Sequence, residues 1–123
     1  MNVRIVAVFL LSVVIGLACG CSSGLSQEEI ATVDFGPLPE NYQDLIKRHM
    51  ADPTKAFHLM DPYSAVYRFE QPYKGKVWNG LLRGGNQYGW VVNAWVNAKN
   101  NFGAYVGEQK YEFLIRDGVV FWP

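Results

Sequence analysis

Between Tyr88 and Lys99 every second residue is apolar: Tyr88, Trp90, Val92, Ala94, Val96 and Ala98. A period of two puts these side chains on one face of a β-strand, whereas a helix would scatter them round its axis. So long a strand with one apolar face needs a sheet around it and a second layer against that face.

The flanking residues supply both. Lys110–Arg116 (KYEFLIR) alternates again, with Tyr111, Phe113 and Ile115 on one side. Asp117-Gly118 is a strong hairpin signal, and Val119–Trp122 follows as a return strand. Upstream, Ala65–Glu70 reads as a strand with Tyr67 and Phe69 on one side, closed by turn chemistry at Gln71–Gly75. Lys76–Arg83 reads as a further, less regular strand, Gly84-Gly85-Asn86 as a loop, and Asn100–Gly103 as a turn. The second layer is a helix opened by Pro39, with Glu40 in its first turn. Tyr42, Leu45, Ile46, His49 and Met50 make its apolar stripe, and Pro53 stops it by Ala51. Asp52-Pro53 and Asp61-Pro62 each mark a capped turn, with Ser64 bonding locally. The expected fold class is therefore α+β: one N-terminal helix packed on a mostly antiparallel sheet of about five short strands, a two-layer meander over residues 38–123.

The chain of 123 residues has room for one domain. Its hydrophobic share of 50% excludes a chain disordered throughout. Eleven bases balance eleven acids, which argues against a basic nucleic-acid binder.

Residues 1–20 read as an export signal. Arg4 precedes Ile5–Ala18, an apolar run of 14 residues, too short for an untilted span of roughly 20. The following Ala18-Cys19-Gly20-Cys21-Ser22 resembles a bacterial lipobox. That resemblance implies cleavage before Cys21 and lipidation of Cys21; Cys19 is the competing site, and a plain signal peptide or retained N-terminal anchor is the alternative. Several acyl chains on one residue give stable anchoring. Ser22, rather than Asp, implies by analogy with enteric bacteria the periplasmic face of the outer membrane over the inner membrane. Residues 21–37 then read as the lipidated Cys followed by a flexible Ser/Gly/Glu-rich tether. The sixteen residues from Ser22 to Pro37 span at most ~50–58 Å extended. From Ser22 onward there is no Cys, which excludes disulfide staples and thiol chemistry.

Candidate functional residues follow from the other face of the sheet. Val91, Asn93, Trp95, Asn97 and Lys99 share it, as do Glu112, Leu114 and Arg116 on the next strand. If this face is uncovered, Val91, Trp95, Leu114 and Trp122 form an apolar patch with a polar rim, the mark of a protein-partner surface. If the Asp52–Pro62 segment or the C-terminus folds over it, there is no patch. Charge is uneven, with seven acids and three bases over Cys21–Pro62 and four acids and seven bases over Tyr63–Pro123. Arg68, Lys74, Lys76 and Arg83 suggest a basic edge for an acidic partner or anionic lipid, or simply a solvated edge protected from aggregation. Trp78, Trp90, Trp95, Asn79, Asn93 and Asn97 are the residue types that line glycan sites, so peptidoglycan is an alternative ligand. His49 and His58 with Asp52 or Asp61 match no strong metal-ligand spacing. Neither Ser26 nor Ser64 lies in a nucleophile elbow, and the glycines lack phosphate-loop spacing. No metal, cofactor or catalytic residue is expected; a hydrolase, or an inhibitor of one, is the remaining alternative.

Pro39–Ile46 (PENYQDLI), Asp61–Ala65 (DPYSA), Pro72–Gly75 (PYKG), Tyr88-Gly89-Trp90 and Val96–Tyr105 (VNAKNNFGAY) together resemble small uncharacterised lipoproteins of Gram-negative bacteria. The resemblance spans most of the chain after the tether and is most specific at Asn97–Gly103. It implies no activity. Some small lipoproteins of this sort are accessory parts of type IV secretion outer-membrane complexes, which implies a structural subunit of an envelope assembly.

Overall fold

A computed structural model describes residues 24–78 and 81–121. Its elements are α1 (Gln27–Thr32), α2 (Tyr42–Ala51), β1 (Val66–Phe69), β2 (Tyr73–Trp78), a 3-10 turn (Leu81–Arg83), β3 (Asn86–Asn97), β4 (Gln109–Arg116) and β5 (Val119–Phe121). The fold is α+β, with one five-stranded antiparallel sheet.

β3 is the spine. Its twelve residues pair with β4 on one side. On the other side β2 pairs with its first half and β1 with its second. β1 and β2 thus lie end to end along one edge of β3, joined at Glu70-Gln71-Pro72, so the first two strands do not pair with each other as a simple meander would have them. β3, β4 and β5 do form a meander. Its last turn is Asp117-Gly118, both at positive φ (50° and 75°), as a two-residue hairpin of right-handed twist requires.

β2 corrects the expected strand at Lys76–Arg83. Pairing from Tyr73↔Val91 to Trp78↔Asn86 draws Tyr73, Lys74 and Gly75 into the strand, and Leu81–Arg83 coil into the 3-10 turn. Pro72, which has no N–H for the ladder, sits just outside the strand. Gly75 and Gly89 face each other in this pairing. A Cβ on Gly89 would stand 2.5 Å from the Ile115 carbonyl oxygen, and one on Gly75 would stand 2.4 Å from Val91 Cγ2. Two strands and a neighbouring side chain therefore come closer here than any other residue allows.

The core lies between α2 and the Trp90 face of the sheet. Ile46, Met50, Val92, Ala94, Phe113 and Ile115 are fully buried, with Leu59 and Val96 beside them. Fully burying each of the larger side chains contributes about 1.5–3 kcal/mol. α2 begins three residues later than expected: Pro39 makes the preceding turn, accepting from the Tyr42 N–H, and Asn41 is the N-cap. The Asp52–Pro62 segment extends this same layer. Leu59 joins the core, and its N–H donates to the Met50 carbonyl. It does not cross to the other face.

The N-terminal residues hold the main departure from expectation. Part of the supposed tether, residues 24–37, is ordered. Ser26 and Glu29 form a reciprocal capping box that starts α1, and Phe35 is 3% exposed. The lipobox at Ala18–Ser22, with Cys19 and Cys21, lies outside the described residues, as does Trp122.

Gly89→Ala is expected to destabilise the domain by roughly 1–3 kcal/mol through overpacking. For a domain this size that corresponds to a fall in Tm on the order of 5–20 °C, checked by thermal denaturation. An unchanged Tm would contradict the close approach at Ile115.

Candidate functional site

Strand register arranges the face opposite α2 in rows, since directly paired residues point the same way. One row is Arg68–Trp95–Lys110. The next is Glu70–Asn93–Glu112, where the Glu70 N–H donates to the Asn93 carbonyl. The third is Tyr73–Val91–Leu114–Phe121, and the fourth holds Gly75 and Gly89.

Trp95 sits at the centre of the polar rows. Its Nε1 donates to Glu70 Oε1 at 2.7 Å. The Arg68 guanidinium lies 5.0 Å from the ring centroid and the Lys110 ammonium 5.7 Å. Asn93 Nδ2 donates to Glu70 Oε2 at 3.0 Å, and Lys110 Nζ approaches the same oxygen at 3.6 Å. Hydrogen bonds from Trp95 and then Asn93, with the charge of Lys110, hold the Glu70 carboxyl below its ordinary range. The ring is therefore fixed in place by a bond at its edge and two cations within cation–π reach of the ring. The rim of these rows is open, with the side chains of Arg68, Lys110 and Glu70 56%, 45% and 38% exposed around a half-buried Trp95.

Val91 and Leu114, expected in an exposed patch with Trp95, are 2% and 0% exposed. That expectation is corrected by the glycine pair. With no side chains at Gly75 and Gly89, Val91 and Leu114 settle over bare backbone. The N-terminal segment then comes round the β2 edge, so that Gly24, Leu25 and Ile30 share a cavity of about 390 Å³ with Tyr73, Val91 and Glu112.

The residues expected to form a basic edge do not share one face of the sheet. Arg68 faces the Trp95 side and forms a two-pronged contact with Glu108 (2.8 and 3.3 Å). Lys74 and Lys76 pair with Trp90 and Tyr88 and point to the other side. Lys74 lies over the Phe35 and Trp90 rings at 5.4 and 5.8 Å. Lys76 is bound by both Glu29 oxygens at 2.7 and 2.8 Å. Arg83 closes the 3-10 turn, with its side chain outside the described residues.

Glu29 is the clasp of the N-terminal segment. It accepts from Lys76, from the Ser26 N–H and from the Tyr88 hydroxyl at 2.7 Å, and its pKa falls to about 2 from 4.5. Further along, Trp90 Nε1 donates to the Gly36 carbonyl, Phe35 meets Tyr88 edge-on, and Arg116 binds the Asp34 carbonyl.

The glycan-lining set is also split. Trp95, Asn93 and Asn97 lie on the open face, Trp90 on the other, and Trp78 ends β2. Asn97 Oδ1 accepts from the Gly107 N–H, and Asn100 Oδ1 accepts from Phe102 and Ala104, so these two asparagines hold the loop after β3. Asp61 accepts from the Ser64 hydroxyl at 2.6 Å and from its N–H, as a local cap should. His49 lies edge-on to Phe113, and burial lowers its pKa, while His58 Nδ1 meets the Lys55 carbonyl. Among the described residues no group of three or more His, Cys, Asp or Glu side chains is placed to hold a metal ion. An open cleft of about 540 Å³ lies between α2 and Pro62–Tyr67, lined by Lys47, Arg48, Tyr63 and Tyr67. No family model, curated protein or solved structure matches the chain.

Position parity along β1 and β4 is the signal that brings Glu70 and Lys110 to Trp95. The capping-box spacing Ser26-x-x-Glu29 is the signal for α1.

The folded-state pKa of Glu29 is depressed, so its contribution to stability is present above pH 4.5 and is lost as pH falls through about 2. Glu29→Gln is therefore expected to lower Tm at pH 7, with the gap from wild type closing towards pH 2. Thermal melts across that range check it; a gap that stays constant would mean the carboxylate is not the clasp.

Proposed function

We propose that this protein is a lipoprotein of the outer membrane, anchored at Cys21 on the periplasmic face, whose domain serves as a structural or accessory binding subunit of an envelope protein assembly such as a secretion system. The observation that carries the binding role is the open Arg68–Trp95–Lys110 row beside Glu70. Trp and Arg are the residues most often found at the energetic centres of protein interfaces. Here the ring is already held by its own hydrogen bond and flanking cations, so little side-chain freedom remains to be lost on docking. The surroundings mix both charges, which suits a polar protein surface better than a lipid or a nucleic acid. No catalytic role is proposed.

Peptidoglycan is the second reading. A fixed indole with an adjacent carboxylate and amide is also a platform on which a sugar ring stacks, but here it rests on Trp95 and its neighbours alone.

Cys21→Ser is expected to release the protein from envelope membranes. Trp95→Glu is expected to keep a cooperative melt and to reduce co-isolation of envelope proteins after crosslinking by tenfold or more, the scale of losing an interface anchor of about 2 kcal/mol. Arg68→Glu, at an exposed position, gives the same readout if Trp95→Glu fails to fold. Undiminished co-isolation by both variants would remove this face as the partner surface. Binding to insoluble peptidoglycan that Trp95→Ala abolishes would favour the glycan reading.

A further inference from the structure

Trp78, Leu81 and Leu82 stand at the tip of the β2–β3 hairpin with 61%, 85% and 103% exposure. No described element covers them, and they are unlike the mixed, hydrogen-bonded surface around Trp95. The Trp78 ring edge lies beside Gly85, where a Cβ would meet Cζ3 at 3.4 Å. Aromatic and leucine side chains presented together are what sits at the boundary between headgroups and acyl chains, where apolar groups bury about 5–10 Å deep.

The N-terminal segment says which surface lies beside this tip. Ser22–Pro37 is not a free tether of sixteen residues, because residues 24–37 dock on the sheet. Gly24 is three positions after Cys21, a reach of at most about 11 Å. From Gly24 to Ile30 the chain lies against β2, before Asp34 and Gly36 reach Arg116 and Trp90. Leu25 and Ile30 share the cavity along β2, and Glu29 grips Lys76. Lys76 is two residues before Trp78, about 7 Å along the strand and on the same face of it. A lipid on Cys21 is thus held within about 11 Å of Gly24, beside the strand that ends in the apolar tip.

We propose that the tip formed by Trp78, Leu81 and Leu82 inserts into the same bilayer surface that holds the Cys21 lipid, giving the domain a second contact and one fixed orientation. This rests on the reading of Cys21 as the lipidated residue. In that orientation β3, about 40 Å long, carries the Asn100–Gly103 loop away from the membrane. The Arg68–Trp95–Lys110 row lies in the half of β3 nearer that far end and stays free to meet a partner.

The test uses the mature lipidated protein in vesicles of phosphatidylethanolamine and phosphatidylglycerol. Leu82→Cys and, separately, Phe102→Cys each carry an environment-sensitive fluorophore; Phe102 is 94% exposed on the far loop. Intact mass reports acylation of Cys21 in the same samples. The expected result is an acylated protein whose label at position 82 shifts to the blue and is quenched several-fold more by bromolipid than the label at position 102. An acylated protein with both labels in water, or with both equally quenched, overturns tip insertion while the anchor stands. A protein without the acyl mass overturns the anchor, and the proposal falls with it.

Discussion

Everything in this domain is built on β3. It binds β4 along one side and β2 then β1 along the other, and its Trp90 face carries the core. Val92, Ala94 and Val96 meet Phe113 and Ile115 from β4 and Ile46 and Met50 from α2. The chain has no cysteine after position 21, so this packing stabilises the domain without disulfides. The small side chain of Ala94 and the glycine at position 89 are part of the same device. Ala94 is fully buried in the core, and Gly89 lets β4 approach where a larger residue would hold it off.

The two ends of β3 are used differently. Its first half is bordered by β2 and clasped by the N-terminal segment through Glu29, Phe35 and the Trp90–Gly36 bond. Its second half holds a half-buried Trp95 beside the exposed side chains of Arg68, Lys110 and Glu70. A division of labour follows on the proposed reading, with the anchor and the hairpin tip at one end and the partner surface towards the other. The Glu29 clasp is what would connect the two, because it converts a long loose leash into a short one.

Strong alternation made β3, β4 and β5 legible from sequence, and helical spacing made α2 legible. Both signals come from one buried face and hold wherever the partner lies. β2 was not legible, because Pro72, Lys74 and Gly75 carry turn chemistry and only pairing with β3 makes them a strand. α1 and Phe35 were missed for a related reason. Their docking rests on one capping box, one carboxylate and one ring, too sparse to register in composition. Of the candidate site, Trp95 was legible on its face from the alternation of β3, whereas Arg68 read only as part of a basic edge. Val91 and Leu114 share that face, but parity says which way a side chain points and nothing about what covers it. Lys74 and Lys76 were legible as charges, while their cover by Phe35 and Glu29 depends on residues some forty positions away.

The docked N-terminal segment carries the most weight, since both the short leash and the orientation depend on it. Native-state hydrogen exchange on residues 24–37 tests it most directly. The Ile30 and Val33 amides, bonded to the Ser26 and Glu29 carbonyls, are expected to exchange well below unfolded-chain rates at neutral pH, and Glu29→Gln is expected to release them. Exchange at unfolded-chain rates in the wild-type protein, with the β3 amides still protected, would show a free tether and contradict the account.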